Sequence, residues 1–155
     1  MPLHHESLLV LSETRPLIEA RGREVVVRAF QILFIRRPET RFIVRPDVSH
    51  PELVLSLLDQ TLASISSPDD LMAMFSRVAE AHVNARVQVE WMDGFCDAFV
   101  MSMEELLGTS ATPRMLAAWR ELMRFVVREL AERQEFLYRE QRSYLRKAQL
   151  GFLVS

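Results

Sequence analysis

The chain has 155 residues, of which 49% are hydrophobic and 26% are charged, and its formal net charge is -2. These values are typical of one folded domain and exclude a disordered chain or a strongly basic nucleic-acid binder. The single cysteine, Cys96, excludes an internal disulfide and a cysteine-cluster metal site. We find no secretion signal and no apolar stretch of roughly 18 residues, so we expect a cytoplasmic protein that does not enter a membrane.

The sequence predicts an all-α fold, because only four glycines occur and no strand-like alternation is seen. Gly22 is expected to end a first helix over about 8–20. A second helix should then run to Arg37, because a residue that precedes proline disfavours helical geometry. Pro38 begins a short helical turn. With the helices that follow, the pattern predicts about seven or eight helices.

Four further helices are predicted after that turn. Ser49 and Glu52 have the spacing of a capping box at the start of the first of them. Pro68 lies in the first turn of the second of these helices. Gly108 follows the last turn of the third. Thr112 caps a final helix that continues toward the C-terminus.

Two histidines lie on apolar helix faces. His82 shares a face with Leu71, Phe75 and Val78, at steps of three and four residues. His50 precedes Val54 and Leu57 at similar spacing. A lone histidine on such a face is usually a packed core or rim residue. Two on facing helices favour an iron macrocycle, because iron takes a neutral imidazole on one side and an enclosed pocket on the other.

The sequence lacks the motifs of phosphate binding, zinc binding and nucleophilic catalysis. The sequence contains no glycine-rich phosphate loop, no paired-histidine zinc motif and no nucleophile elbow. Arginine alternates with glutamate along the last helix, which argues against a nucleic-acid surface.

Three segments, in this order, resemble the globin family over roughly residues 7–130. The segment "RAFQILFIRRPET" resembles the second helix of the family and the corner after it, and in it Phe34 precedes Pro38 by four residues. The segment "LMAMFSRVAEAHVNARV" is similar to the proximal helix of the family, which carries the iron ligand. It has a histidine near its end and Val87 five positions on. The segment "LLGTSATPRMLAAWRELM", with its Thr-Pro pair and Trp119, is similar to the start of the last helix of the family. Bacterial single-domain globins and the haem domains of flavohaemoglobins have the most similar pattern.

The resemblance implies a globin domain over 1–130 and a C-terminal helical extension over 131–155. It implies a b-type haem whose iron is ligated by His82 and reversibly binds O₂, CO or NO, for gas sensing, storage or NO and redox chemistry. His50 matches the distal position and is a second candidate iron ligand. NO dioxygenation or peroxidase-like turnover would need an external reductant, because this sequence holds no reductase domain.

The resemblance also implies a set of haem-contacting side chains: Phe30, Phe34, Phe42, Val44, His50, Leu53, Val54, Leu57, Val78, His82, Val87 and Phe95. Three positions depart from the family pattern. Val44 stands where a phenylalanine is expected to wedge the haem, with Phe42 as a substitute. Phe30 stands where some members have a tyrosine that hydrogen-bonds bound oxygen. Pro51 places His50 in a first helical turn, so Leu53 is the alternative distal residue.

The C-terminal extension carries a partial apolar stripe: Phe136, Leu137, Tyr138, Tyr144, Leu145 and Leu150. One interpretation is a long last helix that covers the domain. The other is a homodimer through the long or C-terminal helices. The alternative function is therefore a globin-fold sensor or interaction module, with or without haem, that signals through this helix.

Overall fold

The computed structural model describes residues 3–43 and 49–154, without the side chains of 152–154. Within these ranges it contains no strand, and the all-α prediction is confirmed. The α-helices are α1 (His5–Arg36), α2 (His50–Ala63), α3 (Pro68–Asn84), α4 (Val89–Leu107) and α5 (Pro113–Val154). Short 3-10 helices span Pro38–Phe42 and Gly108–Ser110. None of the described helices is both long and apolar enough to cross a membrane.

The prediction that Gly22 ends a helix is wrong, and this lowers the number of α-helices below the seven or eight expected. Gly22 is buried in the middle of α1. A Cβ atom added there would lie 2.8 Å from Cδ2 of Leu55 and 3.3 Å from Cγ2 of Ile18. The residue is glycine because α2 approaches α1 closely at this point, and not because the chain turns.

The core lies where α1, α3, α4 and α5 meet. Trp119, Phe75 and Phe99 are among its largest fully buried side chains. Trp119 also donates a hydrogen bond from Nε1 to Oγ1 of Thr14, 2.9 Å away, so that α5 is joined to α1 inside the apolar layer. Each such buried side chain stabilises the fold by about 1.5–3 kcal/mol through lost contact with water.

Several predicted helix ends are confirmed. α1 ends at Arg36, and Pro38 begins the short helix that follows. Gly108 follows α4 with a φ of 55°, a backbone conformation that glycine adopts without strain. The backbone N–H of Met115 donates to Oγ1 of Thr112 at 3.2 Å, which is the expected cap of α5.

The predicted capping box at the start of α2 is wrong. The helix begins where expected, but the Ser49 side chain makes no capping hydrogen bond. The Glu52 carboxylate instead pairs with the Arg23 guanidinium of α1, with Nη1 and Oε1 2.6 Å apart. The charge of Arg23 attracts this carboxylate away from the helix start, so that the acidic residue joins two helices.

α5 continues past Leu130 as one helix. Leu137 still packs against the core, and Arg133 donates from Nη1 to Oγ of Ser76 on α3 at 3.2 Å. From Arg139 to Gly151 every residue is exposed. The first part of the extension is therefore attached to the domain and the second part is surrounded by solvent.

Candidate functional site

The C-terminal end of α3 positions His82. The N–H of Val87 donates to the His82 carbonyl at 2.9 Å, and the N–H of Arg86 donates to the Val83 carbonyl at 3.1 Å. Arg86 has a φ of 57°. These two bonds around a left-handed residue form a Schellman motif, which ends the helix and satisfies its last carbonyls. The backbone of His82 is thereby held one turn before a sharp corner.

The His82 side chain is half-buried, and its Nδ1 atom is fully enclosed without an aligned hydrogen-bond partner. Burial lowers the pKa of His82 below its ordinary value, and a contact with the Gln134 side chain opposes part of this effect. The imidazole is therefore neutral at neutral pH. A neutral imidazole carries the lone pair that a metal ion needs.

Gln134 is the buried polar residue beside this histidine. Only 1% of its surface is exposed. Its Nε2 donates to the Val87 carbonyl at 3.2 Å, while its Oε1 is buried without an aligned partner. Gln134 was not among the predicted site residues, because the globin domain was expected to end near Leu130. The available signal was its position four residues after Leu130, where the buried stripe of α5 continues.

A second group of side chains brings together four of the predicted site residues. This aromatic cluster consists of Phe30, Phe34, His50, Phe95 and Phe99. The Phe30 ring is at its centre, with ring centroids 4.8 Å from Phe95 and 6.0 Å from Phe34. His50 meets Phe30 edge-on at 6.0 Å and an interplanar angle of 64°. The first residue of α2 thus contacts Phe30 near the C-terminal end of α1, and the Phe30 ring in turn contacts Phe95 in the first half of α4.

The remaining predicted site residues differ in burial. Those that are half-buried and pack against the core are Val54, Leu57, Val78 and Val87. Leu53 is 56% exposed and Phe42 is 91% exposed. Val44 lies outside the described residues. Among the described residues of the predicted site, Phe42 and Leu53 are therefore the most exposed.

Cys96 is not a reactive centre. Burial raises the pKa of its thiol to about 12, and the neighbouring carboxylates of Asp93 and Asp97 act in the same direction. A thiol with such a pKa has almost no nucleophilic thiolate at neutral pH. The described residues also contain no cluster of three or more His, Cys, Asp or Glu side chains that could hold a metal ion.

Comparison with solved structures supports the fold. A bacterial globin from Campylobacter jejuni superimposes with a TM-score of 0.77 at 16% identity, covering 87% of this chain and 99% of that one. A flavohemoglobin from Malassezia yamatoensis, solved with bound FAD and heme, gives a TM-score of 0.74 at 23% identity, covering 88% of this chain and 37% of that one.

Sequence comparison supports the same family. An uncharacterized globin-like protein of Aquifex aeolicus is 24% identical over 137 residues, covering 88% of this chain and 97% of that protein. A flavohemoprotein of Halalkalibacterium halodurans is 20% identical over 142 residues; the match covers 89% of this chain but spans only 34% of that protein. The family model described as Globin matches residues 46–130, which is more than half of the chain. The chain belongs to the globin family.

Proposed function

We propose that this globin binds a b-type haem, with His82 as the proximal iron ligand, and reversibly binds a diatomic gas such as O₂, CO or NO. The observation that carries the proposal is the neutral, half-buried imidazole at the end of α3. Its Nδ1 atom is enclosed against α5. This leaves Nε2 as the nitrogen for iron.

The donor chemistry of the site fits haem. Iron in a globin takes one neutral imidazole, and a flat macrocycle is retained by apolar side chains around it. The aromatic cluster supplies such a wall, with Phe30 and Phe95 in close contact at 4.8 Å. Bound haem iron supplies the position at which the gas binds. The protein side chains hold the ligand nitrogen, exclude water and shape the apolar space. The heme bound in the flavohemoglobin structure of Malassezia yamatoensis supports the same cofactor here.

We assign His50, and not Leu53, to the gas side of the haem. His50 is half-buried and lies against the Phe30 ring, whereas Leu53 is 56% exposed. A histidine at this position offers bound gas a hydrogen-bond donor, or offers iron a second nitrogen ligand. If His50 also bound the iron, the ferrous, gas-free form would be six-coordinate.

Titration of the purified protein with hemin tests the cofactor. We expect one equivalent to bind with an intense Soret band, and His82→Ala to abolish or strongly weaken this binding. His5→Ala is the matched control, because His5 is an exposed histidine at the start of α1. A protein that takes up no hemin would contradict the proposal, as would a His82→Ala variant with unchanged affinity.

The His50 assignment has its own test. In the reduced, gas-free protein we expect the His50→Leu variant to change the visible spectrum or to speed the release of bound O₂. Leu53→Ala should leave both unchanged. Equal spectra and O₂ release rates in the wild-type protein and His50→Leu would contradict the assignment.

A second candidate function is self-association through the distal part of α5. The observation that favours it is that Tyr144 and Leu145 are 73% and 60% exposed on a helix segment that extends beyond the domain. Exposed aromatic and aliphatic side chains on one helix are typical of a helix-pairing surface. We expect the double substitution Tyr144→Ser and Leu145→Ser to lower the mass in solution from dimer to monomer, as measured by light scattering. An unchanged mass would contradict this candidate.

A further inference from the structure

We propose that the distal part of α5 pairs with the same segment of a second copy in antiparallel orientation, so that Glu140 of each copy meets Lys147 of the other. This inference rests on the second candidate function, self-association through the distal part of α5, and adds the orientation and the register of the pair. It starts from a helix face that the domain covers in its first half and leaves exposed in its second half.

One face of α5 continues without interruption from the core of the domain into solvent. Steps of three and four residues place seven side chains on this face: Val126, Leu130, Gln134, Leu137, Gln141, Tyr144 and Ala148. The first three are buried, Leu137 packs against the core, and the last three are exposed. Leu145 lies beside them and is 60% exposed. The second half of the face therefore has the pattern of a packed helix, although no described element covers it.

The domain itself decides the orientation of the pair. Two packed helices lie about 8–10 Å apart. On the first half of the face the domain already fills this space, since Gln134 is only 1% exposed. In a parallel pair, the domains of both copies would need that same space. In an antiparallel pair the two domains lie at opposite ends of the paired stretch, so this orientation brings the two exposed halves together.

Charge decides the register of the pair. Glu140 and Lys147 are exposed and lie two turns apart on the same edge of the face. Neither has an ion-pair partner among the described residues, whereas Arg139 and Arg142 both lie near Glu135. Antiparallel helices place like edges side by side, so each Glu140 meets Lys147 of the second copy. A shift of seven residues in either direction would instead place two Glu140 carboxylates or two Lys147 amines together.

The same register also fills the space between the two helices. A long side chain of one copy lies beside a short one of the other, and an amide lies beside a phenol with which it can hydrogen-bond. Because the pair is symmetric, each contact occurs twice. The contacts are Leu137 beside Ala148, Gln141 beside Tyr144, and Tyr138 beside Leu145.

Charge reversal in the full chain tests the register, with the dimer dissociation constant measured by analytical ultracentrifugation. We expect Glu140→Lys and Lys147→Glu each to raise this constant about tenfold or more, because like charges then meet. Mixed in equal amounts, the two variants should pair with each other within about threefold of the wild-type constant, because opposite charges meet again. Arg146→Glu is the matched control, since it reverses a neighbouring charge on the opposite side of the helix.

The outcomes separate this inference from the candidate function on which it rests. A wild-type chain that stays monomeric at all concentrations would contradict self-association, and the exposed face would then belong to a different partner. A wild-type dimer whose two charge variants fail to associate on mixing would overturn the antiparallel register and leave self-association standing. A loss with Arg146→Glu as large as that with Lys147→Glu would overturn it as well.

Cross-linking tests the orientation independently of affinity. In the antiparallel pair, the thiols introduced by Ala148→Cys are eleven residues apart along the helix axis, or about 16 Å. A bis-maleimide shorter than this distance should therefore give no covalent dimer with Ala148→Cys. It should join Glu140→Cys to Lys147→Cys when these two proteins are mixed. Cys96 is only 4% exposed and does not compete. A covalent dimer from Ala148→Cys and none from the mixture would show a parallel pair and overturn the inference.

Discussion

The two sides of the candidate site are built differently. On the side of α3 and α5, Phe75 and Gln134 are each 1% exposed, and the corner after His82 is held by hydrogen bonds from both helices. On the side of the 3-10 helix and α2, Phe42 is 91% exposed and Leu53 is 56% exposed. The side of His82, the proposed iron ligand, is thus closely packed, whereas the described residues Phe42 and Leu53 on the other side are largely exposed.

This difference agrees with the proposed function of each side. An iron ligand must keep one orientation, and a close-packed environment provides it because a displaced ring would lose contacts on every side. Under the proposed function a gas and a haem enter the site, and segments with few buried apolar contacts open at the lowest free energy. We therefore expect substitutions at α3 to change global stability. Substitutions at the start of α2 should mainly change access to the site.

The largest expected effect is on the core below His82. Phe75 packs edge-on against Phe125 with ring centroids 5.9 Å apart, so Phe75→Ala should lower the free energy of unfolding by about 3–5 kcal/mol. The same substitution at the exposed Phe42 should change it by less than about 0.5 kcal/mol. Urea unfolding of the haem-free variants measures both. Similar losses at the two positions would show that the side of α2 is also packed in solution.

The second effect concerns the attachment of α2 to α1. Gly22→Leu places a side chain where even a Cβ would be 2.8 Å from Leu55, so α2 must move away from α1. We expect a loss of about 1–3 kcal/mol. Gly151→Leu is the control, because nothing lies within 4 Å of a Cβ at that position. Equal thermal unfolding midpoints for both variants would contradict the close approach of the two helices.

The features of this fold differ in how well they can be predicted from the sequence. The helix boundaries at Pro38, Gly108 and Thr112 are determined by local chemistry, since each residue acts on its own neighbours in the chain. Periodicity likewise placed His82 on an apolar face. Such features were predicted correctly from the sequence because the information needed lies within a few residues.

Gly22 and Gln134 show what local chemistry does not contain. Glycine has the same appearance in the sequence whether it ends a helix or allows a second helix to approach, and only the position of Leu55 distinguishes the two. Gln134 bonds to the Val87 carbonyl and contacts His82 because α5 places it beside these two residues, which are remote in the chain. The exposure of Leu53 and Phe42 was also not predictable, because it depends on how distant parts of the chain pack together.

A smaller effect separates the caps of the helices on the two sides. Thr112→Ala removes the acceptor for the Met115 N–H at the start of α5, and we expect a loss of about 1 kcal/mol. Ser49→Ala at the start of α2 should cost much less, because the Ser49 side chain makes no capping bond. Urea unfolding of the two variants measures the difference. A loss at Ser49 as large as that at Thr112 would mean that the predicted capping box forms in solution.

The smallest effect, and the one of opposite sign, is at the corner after His82. Arg86 is held at a φ of 57°, where a side chain costs about 1–2 kcal/mol. Arg86→Gly removes this strain but also gives the unfolded chain about 0.4–1 kcal/mol of additional conformational freedom. The net expectation is a gain in unfolding free energy of about 0.5 kcal/mol.

Arg77→Gly is the matched control for this corner. Arg77 is exposed, as Arg86 is, but it lies within the regular helix α3. There the substitution relieves no strain and should cost about 1 kcal/mol. Opposite signs in thermal unfolding of the two variants would show that the left-handed residue, and not the arginine side chain, fixes the turn. Losses at both positions would show that Arg86 stabilises the corner by a contact of its own, and the histidine would then depend on that contact for its position.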